Sequence, residues 1–304
     1  MALGRFGIVS TGNQIFNRFK GVSEMKKFAK MAVAAAIAGM AMIAQATIVI
    51  DDFSVDQGTD GLGDILLRDT TINGLGKYSS VNGATTSIIG GQRDLYVEKI
   101  GGGSGGIESI VESSMYKYST PSGAAGTAFL KWDGMNEAVT GTVFNGSQAT
   151  FLGTLSAGGL GGQNFKLGGN AFKINVQEAD IGFDFAMTVF SSGGRSTTLV
   201  LASVAHTGGL PDSSPILFAD FEGATDVGGS VLGSGAFRFT SAFGAADLTD
   251  VGALLAQVNF TGGIGTVDLS INEVITVPEP GSLALVGLAM LGLGAVRRRK
   301  AMAK

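Results

Sequence analysis

With one histidine and no cysteine in 304 residues, the chain has no internal disulfide, thiolate metal site or cysteine nucleophile, and a site built from several histidines is excluded too. Six of the 21 Lys/Arg and one of the 25 Asp/Glu fall in residues 1–46, and five Lys/Arg and no acid fall in 281–304, which leaves 10 cations and 24 anions in 47–280. A body near −14 repels phosphate backbones, so nucleic acid is excluded as a partner; the acidity serves solubility, or else divalent cations or cationic surfaces.

Residues 1–24 carry no pattern and read as an upstream extension, with translation starting at Met25. Residues 25–46 read as a signal peptide. Met25-Lys26-Lys27-Phe28-Ala29-Lys30 is a basic leader, Met31 to Ile43 an apolar helix-forming run, and Ala44-Gln45-Ala46 a small-x-small cleavage site. Signal peptidase is the expected partner, cutting after Ala46.

The ectodomain then spans 47–276, and its pattern is all-β: period-two alternation broken by glycine-rich turns. Ile48-Val49-Ile50 opens it. Asp51, Asp52, Asp56, Asp60 and Asp64 follow, five carboxylates within 14 residues. Oxygen-rich loops of this kind suit Ca²⁺, although the spacing is not that of an EF-hand, and the alternative is a solvated acidic loop with no cofactor. Leu95 to Ile100 reads as a strand, and Gly101 to Gly106 as a flexible turn without the G-K-[ST] ending of a phosphate loop.

Tyr116 and Tyr118 share one face of Ser114 to Ser119, and Trp132, the only tryptophan, ends the strand Ala128 to Trp132. These rings are the candidate stacking platforms for a sugar; Leu130 on the same face as Trp132 favours burial instead. Phe172 to Val176, Ile181 to Val189, Thr197 to Ala205, Ile216 to Phe221, Ala236 to Thr240 and Leu255 to Phe260 complete the middle of the body. The Ile181 strand places Phe183, Phe185, Met187 and Val189 on one face.

No catalytic site is readable. His206 has no nucleophile elbow beside it, and the pairs Asp180/Asp184 and Glu108/Glu112 lie about 13 Å apart along a strand, beyond glycosidase separations. Asn145-Gly-Ser147 and Asn259-Phe-Thr261 match the glycosylation sequon by chance. Asp247 to Gln257 alone has helical spacing and reads as one turn leading into the Leu255 strand. Val267 to Asn272 closes the body with Val267, Leu269 and Ile271 inward. About ten strands make an antiparallel β-sandwich, and pairing of first and last strands resembles the jelly-roll sandwiches of carbohydrate-binding modules.

Residues 277–304 end the chain differently. Val277-Pro278-Glu279-Pro280 precedes an uncharged run, 281–296, and then Arg297-Arg298-Arg299-Lys300. The run is slightly short for a transmembrane helix, and the cations fix its cytoplasmic end. These three ordered elements closely resemble the PEP-CTERM sorting signal of Gram-negative bacteria. The resemblance implies an inner-membrane-anchored precursor, recognition by an exosortase and processing near Pro278-Glu279-Pro280. It further implies a cell-surface or extracellular-matrix destination in exopolysaccharide-producing bacteria. The expected role is structural or adhesive, with a polysaccharide-binding module second and a secreted hydrolase third.

Overall fold

Period-two patterning produces sixteen strands among the residues described by the computed structural model, which are 47–58, 67–135, 144–180, 183–204, 215–222, 229–232, 237–260 and 266–278. In chain order they are β1 (Val49–Asp51), β2 (Arg68–Asp69), β3 (Gly76–Asn82), β4 (Gln92–Gly102), β5 (Ile107–Glu112), β6 (Met115–Thr120), β7 (Ala124–Trp132) and β8 (Phe144–Gly146). The second half contains β9 (Ala171–Ala179), β10 (Phe183–Ser191), β11 (Ser196–Val204), β12 (Pro215–Leu217), β13 (Ser230–Val231), β14 (Phe237–Thr240), β15 (Val251–Val258) and β16 (Val267–Val277). Among the described residues two short α-helices are interspersed, α1 (Gln148–Gly153) and α2 (Phe218–Phe221). The expected signal helix, its Ala44 and Ala46 cleavage site, the membrane run 281–296 and Arg297 to Lys300 lie outside the described residues, as do Asp60, Asp64 and His206.

The strands form two antiparallel sheets. The smaller has the order β12-β9-β16-β6-β5-β2, with β1 also paired to β16; the larger runs β13-β14-β11-β10-β15-β7-β4-β3-β8. One continuous apolar core lies between them, contributed by the inward faces of both. Phe183, Phe185, Met187 and Val189 of β10 are all buried, as are Val267, Leu269 and Ile271 of β16, which bears out the alternation read from sequence. First and last strands do pair, with Val49 opposite Ile275.

The outer face of the larger sheet acquires a cover of its own. β4 is buried on both faces over residues 92–99 and β7 throughout, because α1 lies over Tyr96 and Phe129 and packs Phe151 against both rings at 5.1 and 6.2 Å. Ser147 starts α1 by accepting the Thr150 N–H at 3.2 Å.

Two expectations are corrected. The strand expected from Ile216 to Phe221 stops at Leu217, and residues 218–221 make a helical turn. Phe218 and Phe221 both bury against Phe172, at 4.7 and 5.4 Å, and only helical spacing puts residues three apart on one face. Likewise Asp247 to Asp250 forms a tight turn, and the strand starts at Val251, four residues earlier than expected. Val251, Ala253, Leu254, Ala256 and Val258 are buried there between β10 and β7.

Candidate functional site

The three rings proposed to stack on a sugar are interior. Trp132, Tyr116 and Tyr118 are fully buried. The Trp132 indole N–H donates to Asp51 Oδ2 at 2.7 Å. The Tyr116 hydroxyl accepts from Ser109 Oγ at 3.2 Å, and Tyr118 donates to the Gly126 carbonyl at 2.9 Å. Burial pushes both phenols well above the usual tyrosine range. None of the three offers a ring face to solvent, so the sugar-platform reading fails at these positions: each lies on the strand face that the opposite sheet covers.

The acidic run is divided by the fold. Asp51 is fully buried between the sheets, where it receives Arg93 Nη1 at 2.9 and 3.1 Å, the Trp132 indole, and the Phe53 N–H at 2.9 Å. Arg93 is equally buried. Its Nε donates to Gln57 at 2.8 Å, its Nη2 to the Val55 carbonyl at 2.5 Å, and its guanidinium lies 5.4 Å from the centre of the Phe53 ring. Burial pushes the Asp51 carboxyl up, while Arg93, Trp132 and Phe53 pull it back towards ionisation.

With its oxygens engaged in four hydrogen bonds from three donors, Asp51 does not fit the role of a calcium ligand. Asp52 turns outward and accepts the Ser54 N–H at 2.9 Å, and Asp56 is exposed. Among the described residues no group of three or more acids, histidines or cysteines is placed to hold a metal ion.

A second buried charge centre sits beneath α1. Lys131 Nζ pairs with Asp94 at 3.0 Å and Asp133 at 3.7 Å, donates to Thr154 at 2.7 Å, and lies 5.1 Å from the Phe151 ring centre. Lys99 Nζ donates to the carbonyls of Gly103 and Gly105 at 2.7 Å each, which orders the glycine-rich turn. Sequence reading missed all three centres. The available signal was a cation in phase with apolar residues: Arg93 alternates with Leu95 and Val97.

The carboxylate pairs also separate. Glu108 pairs with Arg68 at 3.3 Å, Glu112 with Lys117 at 2.5 Å, and Asp180 accepts the Asp268 N–H at 2.7 Å. Asn259 is buried and donates to the Gly126 carbonyl at 2.7 Å, so that sequon is closed to modification.

The fold also positions the start of the Val277-Pro278-Glu279-Pro280 segment. β16 lies inside the smaller sheet, paired along one side to β9 and on the other to β6 and then β1. Pairing continues to its final residue: Val277 lies opposite Ala171, and its carbonyl accepts the Asn170 N–H at 3.0 Å. Thr276 is buried. Its N–H donates to the Ile48 carbonyl at 2.9 Å, and its hydroxyl accepts the Ile48 N–H at 2.9 Å and donates to the Gly168 carbonyl at 3.0 Å.

Gly168 and Gly169 make this possible. A Cβ on Gly168 would stand 2.4 Å from Thr276 Oγ1, and one on Gly169 would stand 2.2 Å from the Val277 carbonyl oxygen. Pro278, which has no N–H to donate, ends the ladder, and Glu279 and Pro280 lie outside the described residues. Thus Val277 and Pro278 stand at the point where β16 leaves the sheet, beside Thr47 and Ile48 where the chain enters it.

No curated protein matches the chain. Comparison with protein-family models finds the PEP-CTERM protein-sorting motif over residues 276–300, a span that begins at Thr276, inside β16, and includes Val277 to Pro280 and Arg297 to Lys300. The chain therefore carries a PEP-CTERM sorting signal fused without a spacer to an antiparallel β-sandwich, and is marked by that signal as an exported, exosortase-sorted protein held transiently at the membrane.

Proposed function

We propose that the processed body is a structural or adhesive component of the cell envelope or exopolysaccharide matrix, acting without catalysis and without a resident cofactor. The observation that carries this reading is where the chemistry-bearing side chains lie. The candidate ligand rings Trp132, Tyr116 and Tyr118 and the Asp51–Arg93 and Asp94–Lys131 ion pairs serve the interior, whereas the sheet edge at β13–β14 presents Val231, Phe237 and Phe239 to solvent. An apolar stripe on an edge strand suits contact with other matrix material. Signal peptidase acts after Ala46 and the exosortase near Pro278 in this scheme, and the cell surface is the destination.

The test is a glycan array probed with the secreted, processed protein, with and without Ca²⁺, run beside sedimentation of the same sample with isolated matrix. Retention in matrix with no discrete sugar bound supports the reading. Tight, calcium-dependent retention of one oligosaccharide overturns it in favour of a lectin-like module.

A further inference from the structure

The end of the sandwich from which β16 exits is one continuous rim. The Val277 carbonyl accepts the Asn170 N–H at 3.0 Å, and the Asn170 carbonyl accepts the Phe218 N–H at 2.8 Å. The Phe221 carbonyl accepts the Thr197 hydroxyl at 2.7 Å, and the Ser196 carbonyl accepts the Ser241 N–H at 2.9 Å. Along that path three apolar side chains point into solvent: Leu167 at 69% exposure, Leu217 at 42% and Phe243 at 73%. Among the described residues two cations of the rim are paired, Lys166 with Glu222 at 2.8 Å and Arg195 with Asp247 at 3.4 Å.

Exposure alone does not choose this end, since Ile100 and Phe260 at the opposite end are 44% and 39% exposed. Reach chooses it. Only three peptide links separate Pro278 from Gly281, where the uncharged run begins, and they span at most about 10 Å. The opposite end, marked by the pairing of Thr120 with Val267, lies about 30 Å further away along β16.

We propose that in the anchored precursor the rim bearing Leu167, Leu217 and Phe243 rests in the interfacial layer of the lipid bilayer. The proposal rests on the membrane-anchored reading of the sorting signal. Three side chains would bind lipid weakly in free solution, but a short covalent tether makes the contact intramolecular. Because the neighbouring cations are paired, the contact is apolar and does not require anionic lipid.

The chain lacks cysteine, so single cysteines report one position each. The full chain is reconstituted in phosphatidylcholine vesicles with a fluorophore at Leu167→Cys, Leu217→Cys or Phe243→Cys, or at the opposite-end controls Ser104→Cys and Ser122→Cys. Lipid-borne nitroxide should quench the rim labels several-fold more than the controls. Adding Leu167→Asp and Phe243→Asp should lower quenching at position 217 to the control value, with the near-ultraviolet signal of Trp132 confirming the fold. Flotation with vesicles but equal quenching at both ends, or quenching at 217 that survives both aspartates, overturns the rim contact alone. Failure to float overturns the anchored reading, and the rim contact with it.

Discussion

Arg93 and Asp51 bind the two sheets by a charge pair placed where the alternation of β4 calls for an apolar residue. Removing one partner leaves an uncompensated charge in the core. Arg93→Met should therefore lower unfolding free energy by about 3–5 kcal/mol in urea titrations at neutral pH, and Asp51→Leu on the same background should recover much of it. Trp132→Ala in this setting tests packing and the Asp51 bond rather than ligand recognition. Asp247 offers a pH readout. The Thr249 hydroxyl and N–H, with Arg195 beside them, hold its carboxyl below the usual range. A depressed native pKa means the unfolded chain binds this proton more readily. The stabilisation is complete above about pH 4 and is lost as pH falls through the native pKa. Asp247→Asn should accordingly flatten the acid limb of the stability curve and leave its slope near pH 7 unchanged.

At the scale of elements, β16 is both the closing strand of the smaller sheet and the start of the sorting signal. Thr276→Val removes the hydroxyl that satisfies the Ile48 N–H and Gly168 carbonyl, and should cost about 1–3 kcal/mol, with faster amide exchange at Ile48. Gly252→Ala in β15 would put a methyl 1.8 Å from the Ala157 carbonyl oxygen, and should cost about 1–3 kcal/mol in chemical denaturation. The long strands were legible in sequence because one face of each is core: β10 and β16 read directly from Phe183 to Val189 and Val267 to Ile271. Those with both faces covered were read only in part, as Leu95 to Ile100 of β4 and Ala128 to Trp132 of β7, because polar and small residues such as Arg93, Asp94 and Thr127 interrupt the apolar runs. The helical turn at Phe218 was hidden for a different reason, because a four-residue segment contains too little of either period to choose between them.

For the whole molecule, the sorting signal was the clearest feature of the sequence, because its three parts are contiguous and need no tertiary contact to be recognised. The candidate ligand rings were not separable from core rings, since burial of Tyr116, Tyr118 and Trp132 depends on which sheet faces them. The calcium reading has a direct check: if no cation belongs to the body, thermal unfolding should have the same midpoint in calcium and in chelator, whereas a bound ion would raise it by mass action. The entry of the chain at Ile48 beside its exit at Thr276, with two hydrogen bonds between them, has a separate consequence for engineering. A short loop joining Val277 to Thr47 would close the body into a ring, and reopening it at the exposed Ser104 turn would give a circular permutant in which both sheets keep every strand.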